Sequence, residues 1–145
     1  MAVEKTITIN APAEKVFGYI ADFPRHSEWA QHKLRIEQTS QGPIGNGTTF
    51  KSVGHQMGRD SEDTVTITEF LANRKIAYEA EGKEGRFRHW IELQPGDGGT
   101  QVKKGFQVVK ASFPFSLMMP IVTTFIVPGG LSGDLQRIKA KVEGS

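Results

Sequence analysis

The chain of 145 residues has no cysteine. That excludes disulfides, thiolate metal ligands and a cysteine nucleophile, and it fits the reducing cytoplasm. Charge of one sign is also scarce: the net charge is +2, with acidic and basic residues interspersed. The basic concentrations, Lys103-Lys104 and Arg86/Arg88 among them, are too short and sparse for a phosphate-binding stripe, so nucleic acid is not an expected partner. The N-terminus enters a strand pattern directly, without a charged region followed by an apolar run, so no secretory signal is expected. Asn46-Gly47-Thr48 therefore reads as a turn rather than a glycosylation site. P-loop, dinucleotide fingerprint and nucleophile elbow are all missing. His26 and His32 stand near Asp22, but their spacing is not one helical face, and no metal or other cofactor is expected. With no repeat, linker or low-complexity stretch, residues 1–145 read as one domain.

What is present begins with Ile7 and Ile9 alternating with Thr6, Thr8 and Asn10, the period of a half-buried strand. Asn10 is placed to cap the segment that follows, where Ala11-Pro12-Ala13-Glu14 suits a helix first turn and Val16, Phe17 and Ile20 recur at helical spacing. Phe23-Pro24 closes this helix, because the residue before proline is pushed out of the helical region. A second short helix start carries Trp29. Beyond it, extended runs at Leu34–Gln38, Thr48–Met57, Glu62–Leu71, Arg74–Ala80, Arg86–Leu93 and Thr100–Lys110 are separated by turn clusters, Gly58 among them. Strands at hairpin spacing predict an antiparallel meander.

The segments Ala11 to Phe17 and Asp22 to Trp29 resemble the opening of the START-like (SRPBCC) superfamily, and within it the polyketide cyclase/dehydrase-like group. Gly45-x-Gly47-Thr48-x-Phe50 is similar to that family's turn into the third strand. Leu93-x-Pro95 with Gly99-Thr100-x-Val102 is similar to its hairpin between the last two strands. The resemblance implies an α+β helix-grip fold. In that fold a curved antiparallel sheet of about seven strands, with two short helices after the first, wraps a long C-terminal helix and leaves a cavity between them. It also implies a polyketide-, lipid- or sterol-like guest, and a Trp29 that closes one end of the cavity; read as plain packing, Trp29 needs no ligand.

No charge occurs between Lys110 and Asp134, a stretch holding Phe113, Phe115, Met118, Ile121 and Phe125. At 23 residues it is long enough for a membrane span, which needs roughly 20 apolar residues. Pro114, Pro120, Pro128, Gly129 and Gly130 argue against stable membrane insertion and for a lid over the sheet. A kink or break is expected at Pro128-Gly129-Gly130, either a fixed bend or a hinge. Leu131, Leu135, Ile138 and Val142 then fall on one helical face, with Asp134, Arg137, Lys139, Lys141 and Glu143 elsewhere.

Strand phase selects the cavity wall. Phe87, His89, Ile91 and Leu93 share one face, as do Val102, Lys104, Phe106 and Val108 on the partner strand. If Leu93 pairs with Thr100, His89 lies opposite Lys104, and the two form an acid/base pair for proton abstraction beside a carbonyl. In the plainer alternative Lys104 snorkels to the rim and His89 satisfies a backbone carbonyl. Tyr78 either sends its hydroxyl into the cavity or is a core tyrosine with its tip at the edge. His55 and Met57 share a face with Lys51 and Val53 whose direction the sequence leaves open. The expected ligand-binding set is Trp29, Tyr78, Phe87, His89, Ile91, Lys104, Phe106, Met118, Ile121 and Phe125, with His89, Lys104 and Tyr78 as catalytic candidates.

Three functions fit these residues. The first is binding of a hydrophobic small molecule; the second is a cyclase or dehydrase moving protons with His89, Lys104 or Tyr78. The third is an interaction module whose Phe113–Val127 stretch contacts a protein or a membrane surface. Edge strands and Trp90, if outward, would offer a homodimer contact.

Overall fold

The computed structural model describes residues 2–30, 33–56 and 59–144; His32, Met57 and Gly58, weighed above, lie outside the described residues. β1 (Ala2–Ile9) leads into α1 (Ala13–Ile20) and a 3₁₀ turn, Phe23–Glu28. Six further strands follow: β2 (Lys33–Gln38), β3 (Thr49–Gln56), β4 (Arg59–Leu71), β5 (Lys75–Gly82), β6 (Gly85–Gly96) and β7 (Gly99–Ala111). The chain then makes a 3₁₀ turn (Phe115–Leu117), α2 (Met119–Ile121), a π-helical segment (Val122–Ile126) and α3 (Val127–Glu143). All seven strands form one antiparallel sheet in the order β1-β7-β6-β5-β4-β3-β2. Irregularities between Ile67 and Glu69 and between Arg86 and Phe87 add local twist and bend the sheet. Sheet and long final helix are the helix-grip architecture the resemblance implies.

Local chemistry explains the joints. Gly47 sits at φ +87°, a backbone region that favours glycine, and turns the chain into β3. The Gly45 N–H donates to Thr48 Oγ1 at 2.9 Å, while Thr48 N–H returns to the Gly45 carbonyl at 3.1 Å. Asn10 does not cap α1, whose N-cap is Pro12 without a side-chain bond. Instead the Asn10 N–H donates to Glu143 Oε2 at 2.7 Å, tying the end of β1 to the end of α3. Lys139 Nζ reinforces that joint, donating to the Thr8 carbonyl and to Glu143 Oε2, each at 2.7 Å.

The core lies between the concave face of the sheet and the helices. Val16, Phe17 and Ile20 of α1, then Phe23 and Trp29, pack with Phe50, Ile67, Ile76, Ile91 and Val102 of the sheet and Leu135, Ile138 and Val142 of α3. Fully burying one such side chain is worth about 1.5–3 kcal/mol. Lys51 and His55 point outward, pairing with Glu62 and Asp60, while Phe50 and Ser52 point in.

Two expectations for the C-terminal run are corrected. Helix continues through Pro128-Gly129-Gly130, and the irregularity lies upstream, in the wide π turn Val122–Ile126. The cause is Pro128: it has no N–H, and its ring would strike the carbonyl four residues back, at Thr124. Asp134 is not on the solvent face. It is buried between Leu131 and Leu135, for the residue three after Leu131 belongs to the same stripe.

Candidate binding site

Register sets the site. The β6–β7 hairpin turns on Asp97-Gly98, with Gly96 opposite Gly99, so Leu93 pairs with Val102 and Thr100 with Pro95. The ladder runs two residues further into the expected loop than the Leu93–Thr100 register allows. His89 consequently faces Phe106, and Lys104 faces Ile91, so the cross-strand His89–Lys104 pair does not form. Inward-facing rows instead step along the sheet. Ile91 and Lys104 lie deepest, then Tyr78, His89 and Phe106, then Ala80, Phe87 and Val108 nearest the Phe115 turn.

The middle and outer rows are a run of rings. Tyr78 and His89 stack at 5.0 Å with an interplanar angle of 10°, and His89 meets Phe106 edge-on at 5.2 Å. Phe106 stacks on Phe87 at 5.8 Å, and Phe87 meets Phe115 at 6.3 Å. On the other side Tyr78 touches Phe23 at 5.2 Å, and Phe23 stacks on His26 and on Phe50. Edge-to-face and offset ring pairs of this kind add about 0.5–1.5 kcal/mol each beyond burial. Phe87, His89 and Phe106 are only half-buried, so the outer part of the row reaches solvent.

At the deep end lies a charge cluster. Lys104 is 3 % exposed; it has not snorkelled to the rim. Its Nζ is 3.5 Å from Asp134 Oδ2, and Arg137 donates to Asp134 Oδ1 at 2.7 Å. Arg137 Nε also donates to the Trp29 carbonyl at 2.6 Å, and Lys104 Nζ lies 5.6 Å from the centre of the Trp29 ring. Burial pushes the Lys104 ammonium down from its ordinary value, and Asp134 opposes that shift. Burial, then Lys104, then His26 lower His89 to about 3, so it is neutral near pH 7. Burial likewise lowers His26 to about 3, although its Nε2 donates to the Ile20 carbonyl at 2.8 Å. The Tyr78 hydroxyl is held well above its usual value, first by burial and then by Asp134. Two enclosed polar atoms have no partner among the described residues: Trp29 Nε1 and His89 Nδ1. His89 thus does not satisfy a backbone carbonyl through Nδ1.

Of the expected ligand-binding residues, Trp29, Tyr78, Phe87, His89, Ile91, Lys104 and Phe106 converge on the concave face. Met118, Ile121 and Phe125 do not join them: they are 55 %, 60 % and 77 % exposed. The π turn and its prolines direct Met119 and Thr123 inward instead, and leave an apolar lip of Phe113, Leu117, Met118, Ile121, Phe125 and Ile126. Sequence reasoning missed Asp134, Arg137 and His26. A carboxylate on the apolar stripe of α3, matched to a lysine on the apolar face of β7, was the available signal for the first. Trp90 points outward but is covered by its own chain. Its Nε1 donates to Glu4 Oε2 at 2.8 Å, Arg88 lies over the ring, and a Cβ at Gly105 would collide with the indole. An open depression of about 320 Å³ beside it, and another of about 480 Å³ lined by Asn10 to Glu14 and the Pro95–Gly99 turn, both lie outside the concave site.

A model of the family described as polyketide cyclase / dehydrase and lipid transport matches residues 1–143. The chain belongs to that family. Solved structures similar to this polyketide cyclase/dehydrase family member share its fold at low identity. A START superfamily protein from Mycobacterium smegmatis has a TM-score of 0.81 at 17 % identity, over 99 % of this chain and 97 % of its own. TTHA0849 from Thermus thermophilus has a TM-score of 0.79 at 17 % identity, over 99 % of this chain and 98 % of its own. The di-domain ARO/CYC StfQ of the steffimycin biosynthetic pathway has a TM-score of 0.75 at 15 % identity, over 99 % of this chain and 50 % of its own. No curated protein matches this family member. Among the described residues no helix is long and apolar enough to cross a membrane.

Proposed function

We propose that this protein binds a hydrophobic small molecule, polyketide-, lipid- or sterol-like, between the sheet and the C-terminal helical run. The observation that carries the reading is the row of rings from Phe115 through Phe87, Phe106 and His89 to Tyr78, which joins an exposed apolar lip to a buried polar end. Such a gradient suits a guest that enters apolar part against aromatic wall and is oriented by few polar groups. The rings touch one another, so the guest enters by spreading Phe87, Phe106 and Phe115. Family membership supports this class of guest, and the similarity to an ARO/CYC fold adds the cyclase or dehydrase alternative. Geometry favours binding over that alternative. His89 faces Phe106 rather than Lys104, and a histidine lowered to about 3 is a weak base near neutral pH.

The test is native mass spectrometry of the purified protein, with extraction of bound material and a thermal-shift panel of fatty acids, sterols and aromatic polyketides. A discrete apolar adduct, or a panel member that raises the melting temperature, is expected. A clean apo mass with no shift across the panel overturns the reading.

A further inference from the structure

The deep end of the site has a one-sided polarity. Asp134 has a cation at each oxygen: Oδ1 accepts from Arg137 and Oδ2 faces Lys104. Lys104 carries three N–H donors, yet among the described residues its ammonium has Asp134 as its single acidic partner, at 3.5 Å. Beside it Trp29, 2 % exposed, keeps its Nε1 donor enclosed and unpartnered. Two cations and one carboxylate leave this cluster with a surplus positive charge, and its unpartnered buried atom, Trp29 Nε1, is a donor. Leaving a buried donor without an acceptor is unfavourable, so an arrangement like this calls for an acceptor from outside the chain. Arg137 bonds both the Trp29 carbonyl and Asp134, which ties the residue that carries the indole to the carboxylate that faces Lys104, and Lys104 Nζ lies 5.6 Å from the indole centre.

The geometry points to an oxyanion subsite formed by Lys104 Nζ and Trp29 Nε1, which takes an apolar guest led by an anionic or enolisable oxygen: a carboxylate, enolate or phenolate. This rests on the binding reading above and names the guest's polar end. Arg137 is a positioning residue here, because it acts through Trp29 and Asp134. The aromatic row then receives the guest's apolar body, and the lip its trailing end.

Two probes with one scaffold test it: 1-anilinonaphthalene-8-sulfonate, which carries an acid, and N-phenyl-1-naphthylamine, which does not. Titrations are read by probe fluorescence and by the indole N–H signals of the two tryptophans. Glu4→Gln identifies the Trp90 signal, since Glu4 accepts from that indole alone. The expected result is that the acidic probe shifts the Trp29 indole signal and the neutral probe does not. Lys104→Met should weaken the acidic probe by about tenfold or more, the scale of a charge-assisted hydrogen bond, and leave the neutral probe within about twofold. Lys104→Met/Asp134→Asn, which also removes the buried carboxylate charge, should give the same split if the single variant folds poorly. Equal response of both probes to these variants, with the Trp29 signal unmoved, overturns the subsite and leaves the binding reading standing. Failure of both probes to bind the unaltered protein overturns the subsite and the binding reading together.

Discussion

The two halves of the C-terminal run reverse the usual relation between hydrophobicity and burial. Residues 113–126 carry no charge, yet Phe113, Leu117, Met118, Ile121, Phe125 and Ile126 are exposed. Residues 131–143 carry Asp134, Arg137, Lys139, Lys141 and Glu143, yet their apolar stripe is almost wholly buried, along with Asp134. What separates them is order in the helix. α3 is a regular helix laid along β1, so every third or fourth side chain meets the core. Upstream, Pro114, Pro120 and Pro128 divide the chain into short turns of different pitch, and no single face stays aligned with the sheet. Composition alone does not bury a side chain; periodicity against a partner surface does.

The sharpest way to break this comparison is a pair of truncations. Leu135→Ala, at a site 1 % exposed, should cost about 2–5 kcal/mol by urea denaturation, with a cavity left in the core. Phe125→Ser removes a larger apolar group and should cost less than about 0.5 kcal/mol. Similar losses at the two positions would mean the lip is packed after all.

Next in size is the buried pair. Lys104→Met leaves Asp134 with Arg137 alone and should cost about 3 kcal/mol, while Lys104→Met/Asp134→Leu should recover part of it, because an apolar pair needs no desolvated charge. A double variant less stable than the single one would show that Asp134 stabilises α3 without Lys104.

The pH response sharpens the contrast further. His26 lies near 3 when folded and near 6.5 when unfolded, so between these values the unfolded chain binds the extra proton. Stability present above pH 6.5 should therefore fall as pH drops toward 3, by about 1.4 kcal/mol per unit for this histidine. His89 adds a slope of the same sign. His26→Phe should remove one proton's share of the slope in urea midpoints measured from pH 4 to 7, and Phe125→Ser should leave it unchanged.

The smallest effect belongs to the lip. Ile121→Asp and Phe125→Asp should leave stability nearly untouched and weaken binding of N-phenyl-1-naphthylamine a few-fold if the lip receives the guest's trailing end. An unchanged affinity would confine the guest to the aromatic row.

Much of this was legible in one dimension. Alternation at Ile7 and Ile9, at Val65 and Ile67 and along Phe87 to Leu93 fixes strands and their faces, because side-chain direction has a period of two. The spacing of Leu131, Leu135, Ile138 and Val142 fixes the buried face of α3. Glycine chemistry marks the turn at Gly47. Phe23-Pro24 marks where α1 must have ended, and Pro128 that something must give nearby. Tertiary structure alone decided the rest. Register depends on how tightly the Asp97-Gly98 turn closes, and a shift of two residues keeps every side chain on its face while changing its neighbour. Strand phase therefore puts His89 and Lys104 on one face, while the closed turn pairs His89 with Phe106 and Lys104 with Ile91. The partnership of Lys104 with Asp134 and Arg137, and the enclosed indole N–H of Trp29, arise between segments far apart in the chain, where the energy of a buried charge is set by what packs beside it.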